Sequence, residues 1–162
     1  MTTIKIGDTL PQSTFRTMTA DGPTAKTTDD IFKGRKVVLF AVPGAFTPTC
    51  HKNHLPGFLD HAAEIKGKGI DAICVTGVND VFVMDAWSKA TGGIGVIEFL
   101  SDGNADFVKA IGLTLDGSGF GLGTRSQRYA MIVDDGTVTY LAVEDAPGKA
   151  DLSGAEPLLK TL

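Results

Sequence analysis

The sequence predicts an α/β fold in which a central mixed β-sheet is flanked by helices and extended by an N-terminal β-hairpin. Three observations point to it. Short, largely apolar runs recur at 37–42 (VVLFAV), 70–76, 97–100 and 129–133, and runs of this length mark strands buried on both faces. Helical patterns separate the first three runs, the alternation that lays helices over a largely parallel sheet. Asp135-Gly136 then joins the fourth run to 138–143, and such a hairpin makes the sheet mixed.

Taken in order, extended pieces are expected around 4–6, 14–17 and 23–27, with Asp21-Gly22 as a hairpin turn. Thr28 to Phe32 reads as one capped helical turn ended by Gly34. After VVLFAV, Pro43-Gly44 makes a turn, Thr47 supplies an N-cap hydroxyl and Pro48 an early helical residue. Cys50 then falls in the first turn of a helix running toward Lys66. Pro56 removes a backbone donor and crowds the Lys52 carbonyl, so a kink is expected there. Residues 81–89 form a helix with Val81, Met84 and Trp87 near one face, broken at Gly92-Gly93. Asn104 caps a short helix to Ile111, and the glycine-rich 112–123 is expected as a long loop. Ser153 begins a terminal helix with Glu156 placed for a capping box.

The bulk numbers bound the function. A chain of 162 residues is one domain, 1–162, able to bury roughly 70% of its unfolded surface without staples. A net charge of −4 with no basic stripe excludes nucleic acid as a partner. The start, MTTIKIGDTLPQ, lacks a basic segment followed by an apolar one, and no run approaches a membrane span, which implies a cytoplasmic protein. Thiols stay reduced there, so two cysteines imply catalysis, redox activity or core packing rather than a bridge.

Cys50 is the candidate nucleophile because its neighbours are polar and cationic (Thr47, Pro48, Thr49, His51, Lys52) and it sits at a helix start. A thiol of pKa about 8.5 is only a few per cent thiolate at pH 7, and a two-unit drop requires about 2.7 kcal/mol. A helix terminus supplies about 0.3–2 kcal/mol. A fixed cation should therefore stand by the sulfur, and the candidates are Arg125 and Arg128 in GLGTRSQRYA.

PGAFTPTC sets Pro43, Thr47 and Cys50 as in the peroxiredoxin active-site motif. With VLFAVPGAFTPTC, HLPGF, VNDVFVMDAW, GLGTRSQRYA and LSGAE, the chain resembles the five-type peroxiredoxins, including the plant type II branch, over nearly its whole length. The resemblance implies a thioredoxin-like fold and a thiol peroxidase of hydrogen peroxide and alkyl hydroperoxides with no metal or bound cofactor. It makes Cys50 the peroxidatic residue, with Thr47 bonding sulfur and peroxide, Pro43 shielding the pocket and Arg128 stabilising thiolate and substrate. His54, in HLPGF, would line the pocket. It also implies a homodimer that buries the loops around Phe46, Phe82 and Phe120. Attack on an O–O bond puts charge on the leaving oxygen, which the N–H groups of Thr49 and Cys50, the Thr47 hydroxyl and the Arg128 guanidinium would meet. Phe46 and Phe120 would set the pocket's width.

Cys74 is the obvious resolving candidate, but it lies within an apolar strand. Plant type II relatives place their second cysteine where this chain has Val75, and one residue reverses the face of a strand. The region 151–153, where other relatives carry a resolving cysteine, has none. A one-cysteine mechanism recycled by glutathione or glutaredoxin is therefore expected. The alternatives are a two-cysteine enzyme using Cys74 and thioredoxin, or a redox sensor or holdase that relays oxidation to partner proteins. A thiol-disulfide oxidoreductase would show CxxC, which Thr47-Pro48-Thr49-Cys50 lacks. No metal is expected: Cys50 and His54 are four apart, but no CxxC or HExxH accompanies them, and His51 and His61 are expected to be solvated. Residues 117–124 lack the lysine of a phosphate-binding loop.

Overall fold

The computed structural model describes residues 3–162. A hairpin of β1 (Thr14–Thr19) and β2 (Gly22–Thr27) precedes β3 (Lys36–Ala41), β4 (Ala72–Gly77) and β5 (Glu98–Ser101). The small strands β6 (Thr114–Asp116) and β7 (Thr124–Ser126) follow, then β8 (Tyr129–Asp134) and β9 (Thr137–Val143). Seven of these form one sheet in the order β2-β1-β5-β4-β3-β8-β9, while β6 and β7 pair separately. β3 runs parallel to β4, and β4 to β5; β8 is antiparallel to both β3 and β9. The expected mixed sheet is thus realised.

Because side chains alternate across a strand, each central strand feeds two cores. Val37, Leu39 and Ala41 join Cys74, Tyr129, Met131 and Val133 on one face. Val38, Phe40 and Val42 join Ile73, Val75, Ala130, Ile132 and Cys50 on the other. The two cysteines therefore belong to opposite faces.

The helices are α1 (Thr28–Phe32), α2 (Leu55–Asp60), α3 (Ala62–Lys66), α4 (Val81–Thr91), α5 (Asp106–Ile111) and α6 (Ala155–Leu159). Thr27 and Asp30 close a capping box on α1, and Asp80 caps α4 through the Val83 N–H. Trp87 and Met84 bury the inner face of α4. Asp135 and Gly136, with φ of 48° and 82°, make the tight β8–β9 turn, where the left-handed backbone suits glycine.

Several local expectations are corrected. Residues 4–6 form no strand; Ile4 donates its N–H to the Ile111 carbonyl. The first hairpin turns at Ala20-Asp21, one residue early, where the Thr19 hydroxyl bonds Gly22 O and Asp21 N. Asn104 does not cap α5. Asp102, buried and six positions before Val108, accepts the Phe107 and Val108 N–H groups instead, at 3.0 Å each. The supposed loop 112–123 contains β6 and a 3₁₀ turn at Ser118–Phe120 that leads toward β7. Ser153 forms no capping box with Glu156, because its hydroxyl and N–H are both taken by Glu144. The long helix from Cys50 to Lys66 is three pieces: a π-turn at Cys50–His54, α2, and α3 after a break at His61.

Candidate active site

The chain leaves β3 with Val42 N–H on Thr76 O and turns sharply through Pro43 and Gly44. Asn79 Oδ1 accepts the Ala45 N–H at 2.9 Å and fixes the turn to the end of β4. A Cβ at Gly44 would meet Thr47 Cγ2 at 3.0 Å and Arg125 Nη1 at 3.2 Å, so glycine permits this close approach. Phe46, at φ 65°, completes the reversal. The helix starts at Pro48, with the Thr47 carbonyl accepting the His51 N–H at 2.8 Å.

Thr47 does not make the N-cap bond that its position predicted. Its hydroxyl lies 2.6 Å from Gly44 O and 2.9 Å from Cys50 Sγ rather than on a helical N–H. One hydroxyl carries one proton. It serves Gly44 while a Cys50 thiol donates to Oγ1, and turns to the sulfur when that is a thiolate. The next turn is the π-turn, in which Leu55 N–H reaches back to Cys50 O. Pro56 has no N–H for Lys52 O, so the wider turn replaces the kink the sequence predicted.

Arg128 arrives from the strand register. It precedes Tyr129, so alternation puts its side chain on the face of Ala130 and Ile132, where Cys50 lies. Nη2 donates to Cys50 Sγ at 2.9 Å across 78 positions of sequence. Nη2 and Nε both donate to Pro147 O, at 3.0 and 3.3 Å, and Nη1 meets His54 Nδ1 at 3.0 Å. Arginine and cysteine are both buried. The planar fork thus holds the cation against the sulfur in a place where charge is poorly screened.

His54 is fixed in turn. Its Nε2 faces Ser153 O at 2.9 Å, so the proton sits there and Nδ1 accepts from Arg128. Phe40 and Phe58, stacked at 4.1 Å, pack their rings against it. Burial first, and the neighbouring Arg128 cation second, lower its pKa to about 3. The folded state therefore stays unprotonated where an unfolded histidine binds a proton, and stability falls as pH falls through 6.5. The limiting slope is about 1.4 kcal/mol per pH unit. Urea unfolding should show wild type losing about 1–2 kcal/mol between pH 6.5 and 5. His54→Gln should lack this loss, and an equal slope in both proteins would contradict it.

The remaining predicted residues separate. Thr49 Oγ1 donates to Gly148 O at 3.2 Å, and Arg125 spans Leu122 O and Pro43 O. Arg125 thus lies at the rim, while Arg128 alone of the two candidates is within hydrogen-bonding distance of the sulfur. Phe46 is half exposed, and its ring stacks on His51. His51 is not simply solvated: its Nδ1 accepts the Trp87 indole N–H at 3.1 Å. His61 is partly exposed beside Glu64 and Glu156. Phe120 stands 85% exposed on the β6–β7 hairpin and is not among the groups bonded around Cys50. Cys74 is fully buried, and burial pushes its thiol pKa far up. No group of three or more His, Cys, Asp or Glu side chains suited to a metal occurs among the described residues. Cavities of about 260 and 470 Å³ reach Arg128 and His54 respectively, and Cys50 lines neither. The sulfur is buried against its hydrogen-bond partners Thr47 and Arg128.

The Redoxin family model matches residues 5–159. Peroxiredoxin-2E-2, chloroplastic, from Oryza sativa is 48% identical, covering 99% of this chain and 73% of that protein. Peroxiredoxin-2C from the same plant is 43% identical over the full length of both. Among solved structures, reduced Prx3 from Vibrio vulnificus in complex with hydrogen peroxide superposes with a TM-score of 0.92 at 50% identity, covering 98% of each chain. The mixed sheet with its flanking helices is the thioredoxin-like arrangement of these relatives. The chain belongs to the Redoxin family and, within it, is a peroxiredoxin.

Proposed function

We propose that this peroxiredoxin reduces hydrogen peroxide and small alkyl hydroperoxides at Cys50 and is recycled by glutathione or a glutaredoxin. The observation that carries the reading is the convergence of Arg128 Nη2 and Thr47 Oγ1 on Cys50 Sγ, each at 2.9 Å. The Cys50 thiolate attacks one peroxide oxygen. An S–O bond forms as the O–O bond breaks, and the departing oxygen takes a proton to become water or an alcohol. Of the five N–H groups of Arg128, Pro147 O takes two, His54 one and the sulfur one. The fifth, on Nη1, is available to the oxygen that gathers charge. Hydrogen peroxide as substrate is supported by the Vibrio vulnificus relative, whose structure is described as a complex with it.

Cys50 is left as a sulfenic acid. An external thiol attacks its sulfur and releases water, giving a mixed disulfide; a second thiol then frees Cys50 and leaves as the disulfide. The position of Cys74, buried beneath the opposite face of the sheet, supports this one-cysteine route. No metal or bound cofactor enters the cycle. A cytoplasmic location suits the thiol supply, and the exposed Phe46, Phe82 and Phe120 support a homodimer.

Peroxide turnover with glutathione, with glutathione plus glutaredoxin, and with a thioredoxin system tests the reading in wild type and Cys74→Ala. Alanine is chosen because a serine hydroxyl there would be buried without a partner, at about 1–3 kcal/mol. Repeated turnover with glutathione or glutaredoxin, largely kept in Cys74→Ala, is expected. Turnover with thioredoxin alone that Cys74→Ala abolishes would establish a two-cysteine enzyme. A single turnover with every thiol would make the protein a sensor.

A further inference from the structure

Glu144 is 6% exposed and takes no part in the chemistry above. It directly follows β9, and its N–H donates to Arg128 O at 2.9 Å, extending the β8–β9 ladder by one step beyond Tyr129 and Val143. Residues opposite each other in a ladder share a face, so Glu144 lies on the Arg128 side of the sheet. It forms no ion pair with Arg128 within 4 Å. Oε2 instead accepts Leu152 N–H at 2.7 Å, Ser153 N–H at 2.5 Å and Ser153 Oγ–H at 2.6 Å. Oε1 is buried with no partner among the described residues.

A half-satisfied buried carboxylate is costly, and all the bonding of this one is spent on two consecutive residues. Those residues end the segment 144–153, which passes over the active site. Three of its carbonyls point inward: Pro147 O takes the Arg128 fork, Gly148 O the Thr49 hydroxyl and Ser153 O the His54 ring. Glu144 binds the far end of the segment back to the strand beside Arg128, closing it into a loop. The positions of Pro147 O and Ser153 O, and through them the orientation of Arg128 and His54, depend on that closure.

We propose that Glu144 is a positioning residue for Cys50, holding the 144–153 segment so that its carbonyls aim Arg128 at the sulfur and hold His54 against the guanidinium. The proposal rests on the peroxidase reading above, and its test separates the two. In a Cys74→Ala background, the rate of Cys50 alkylation by iodoacetamide is followed from pH 5 to 9, and kcat/KM for hydrogen peroxide is measured at pH 6 and 8. Glu144→Ala should shift the alkylation profile to higher pH. It should also lower kcat/KM at pH 6 about ten- to a hundred-fold, the scale of a small misplacement of a reacting group. The deficit should shrink at pH 8. Glu144→Gln keeps an acceptor oxygen and the side-chain volume, so it should fall between alanine and wild type. It also answers the question if the alanine variant does not fold. A purely structural role would lower the melting temperature and leave the alkylation profile in place, and that result in a folded variant overturns the proposal. Failure of the wild type to consume hydrogen peroxide would overturn the peroxidase reading, and this proposal with it.

Discussion

In Cys50→Ser, peroxide consumption falls to the rate of the buffer blank while the protein keeps its fold. The serine hydroxyl can accept from Arg128 Nη2 and donate to Thr47 Oγ1, as the thiol does, so the buried guanidinium is not stranded. What disappears is the nucleophile: an alcohol stays protonated near neutral pH, and only an ionised, polarisable sulfur attacks the O–O bond at a useful rate. The variant separates architecture from chemistry, and wild-type far-UV circular dichroism should accompany the lost activity. Activity surviving in folded Cys50→Ser would remove this sulfur from the reaction.

Arg128→Met gives the second largest effect, a fall in kcat/KM for hydrogen peroxide of about 10²–10³-fold, the range for deleting one preorganised donor at a centre of developing charge. Methionine roughly fills the volume but leaves Pro147 O and His54 Nδ1 unpartnered in the interior, each at about 1–3 kcal/mol, so the melting temperature falls as well. Arg128→Lys distinguishes charge from geometry. A single ammonium cannot reach Cys50, Pro147 and His54 together, so lysine should restore only a small part of the activity. A folded Arg128→Met within tenfold of wild type would mean that the sulfur does not need the cation.

The strands were legible because burial on both faces writes itself as unbroken apolar runs, as VVLFAV and the six buried residues of β4 illustrate. The site was legible to the extent that it is made of side chains in a short motif. The energy estimate called for a cation and left Arg125 and Arg128 open, the resemblance singled out Arg128, and strand parity explains in the fold why it is the one that reaches the sulfur. Local rules failed where tertiary contacts supplied a better partner. Asn104 had the right spacing for a cap, but Asp102, held at the end of β5, reaches two α5 amides at once. Ser153 looked like a helix start and is bound by a glutamate nine residues back. β6 and β7 are three residues each and half-exposed, too short for periodicity to register. The Pro147 and Ser153 carbonyls that orient Arg128 and His54 are backbone atoms, which carry no signature in sequence. Glu144 left no trace: pairing outward from the Asp135-Gly136 turn would set Val143 opposite Arg128, and only the bulge between Ile132 and Val133 shifts the register by one to bring Glu144 there. The Trp87–His51 bond left none, since it joins segments 36 positions apart.

The π-turn carries a consequence for how this helix tolerates change. Cys50 and His54 meet the same guanidinium, through Nη2 and Nη1, from the two ends of that turn. A π-turn amounts to one residue more than an α-helix accommodates. Lys52 and Asn53, between the two contacts, are exposed, and losing either would cost no core packing. It would, however, let the helix regularise and swing Cys50 about 100° around the axis relative to His54. The sulfur would then leave Arg128 while the backbone gained ideal hydrogen bonds. The irregular turn acts as a phase shifter between two ligands of one cation, so sequence length is more constrained in this stretch than sequence identity.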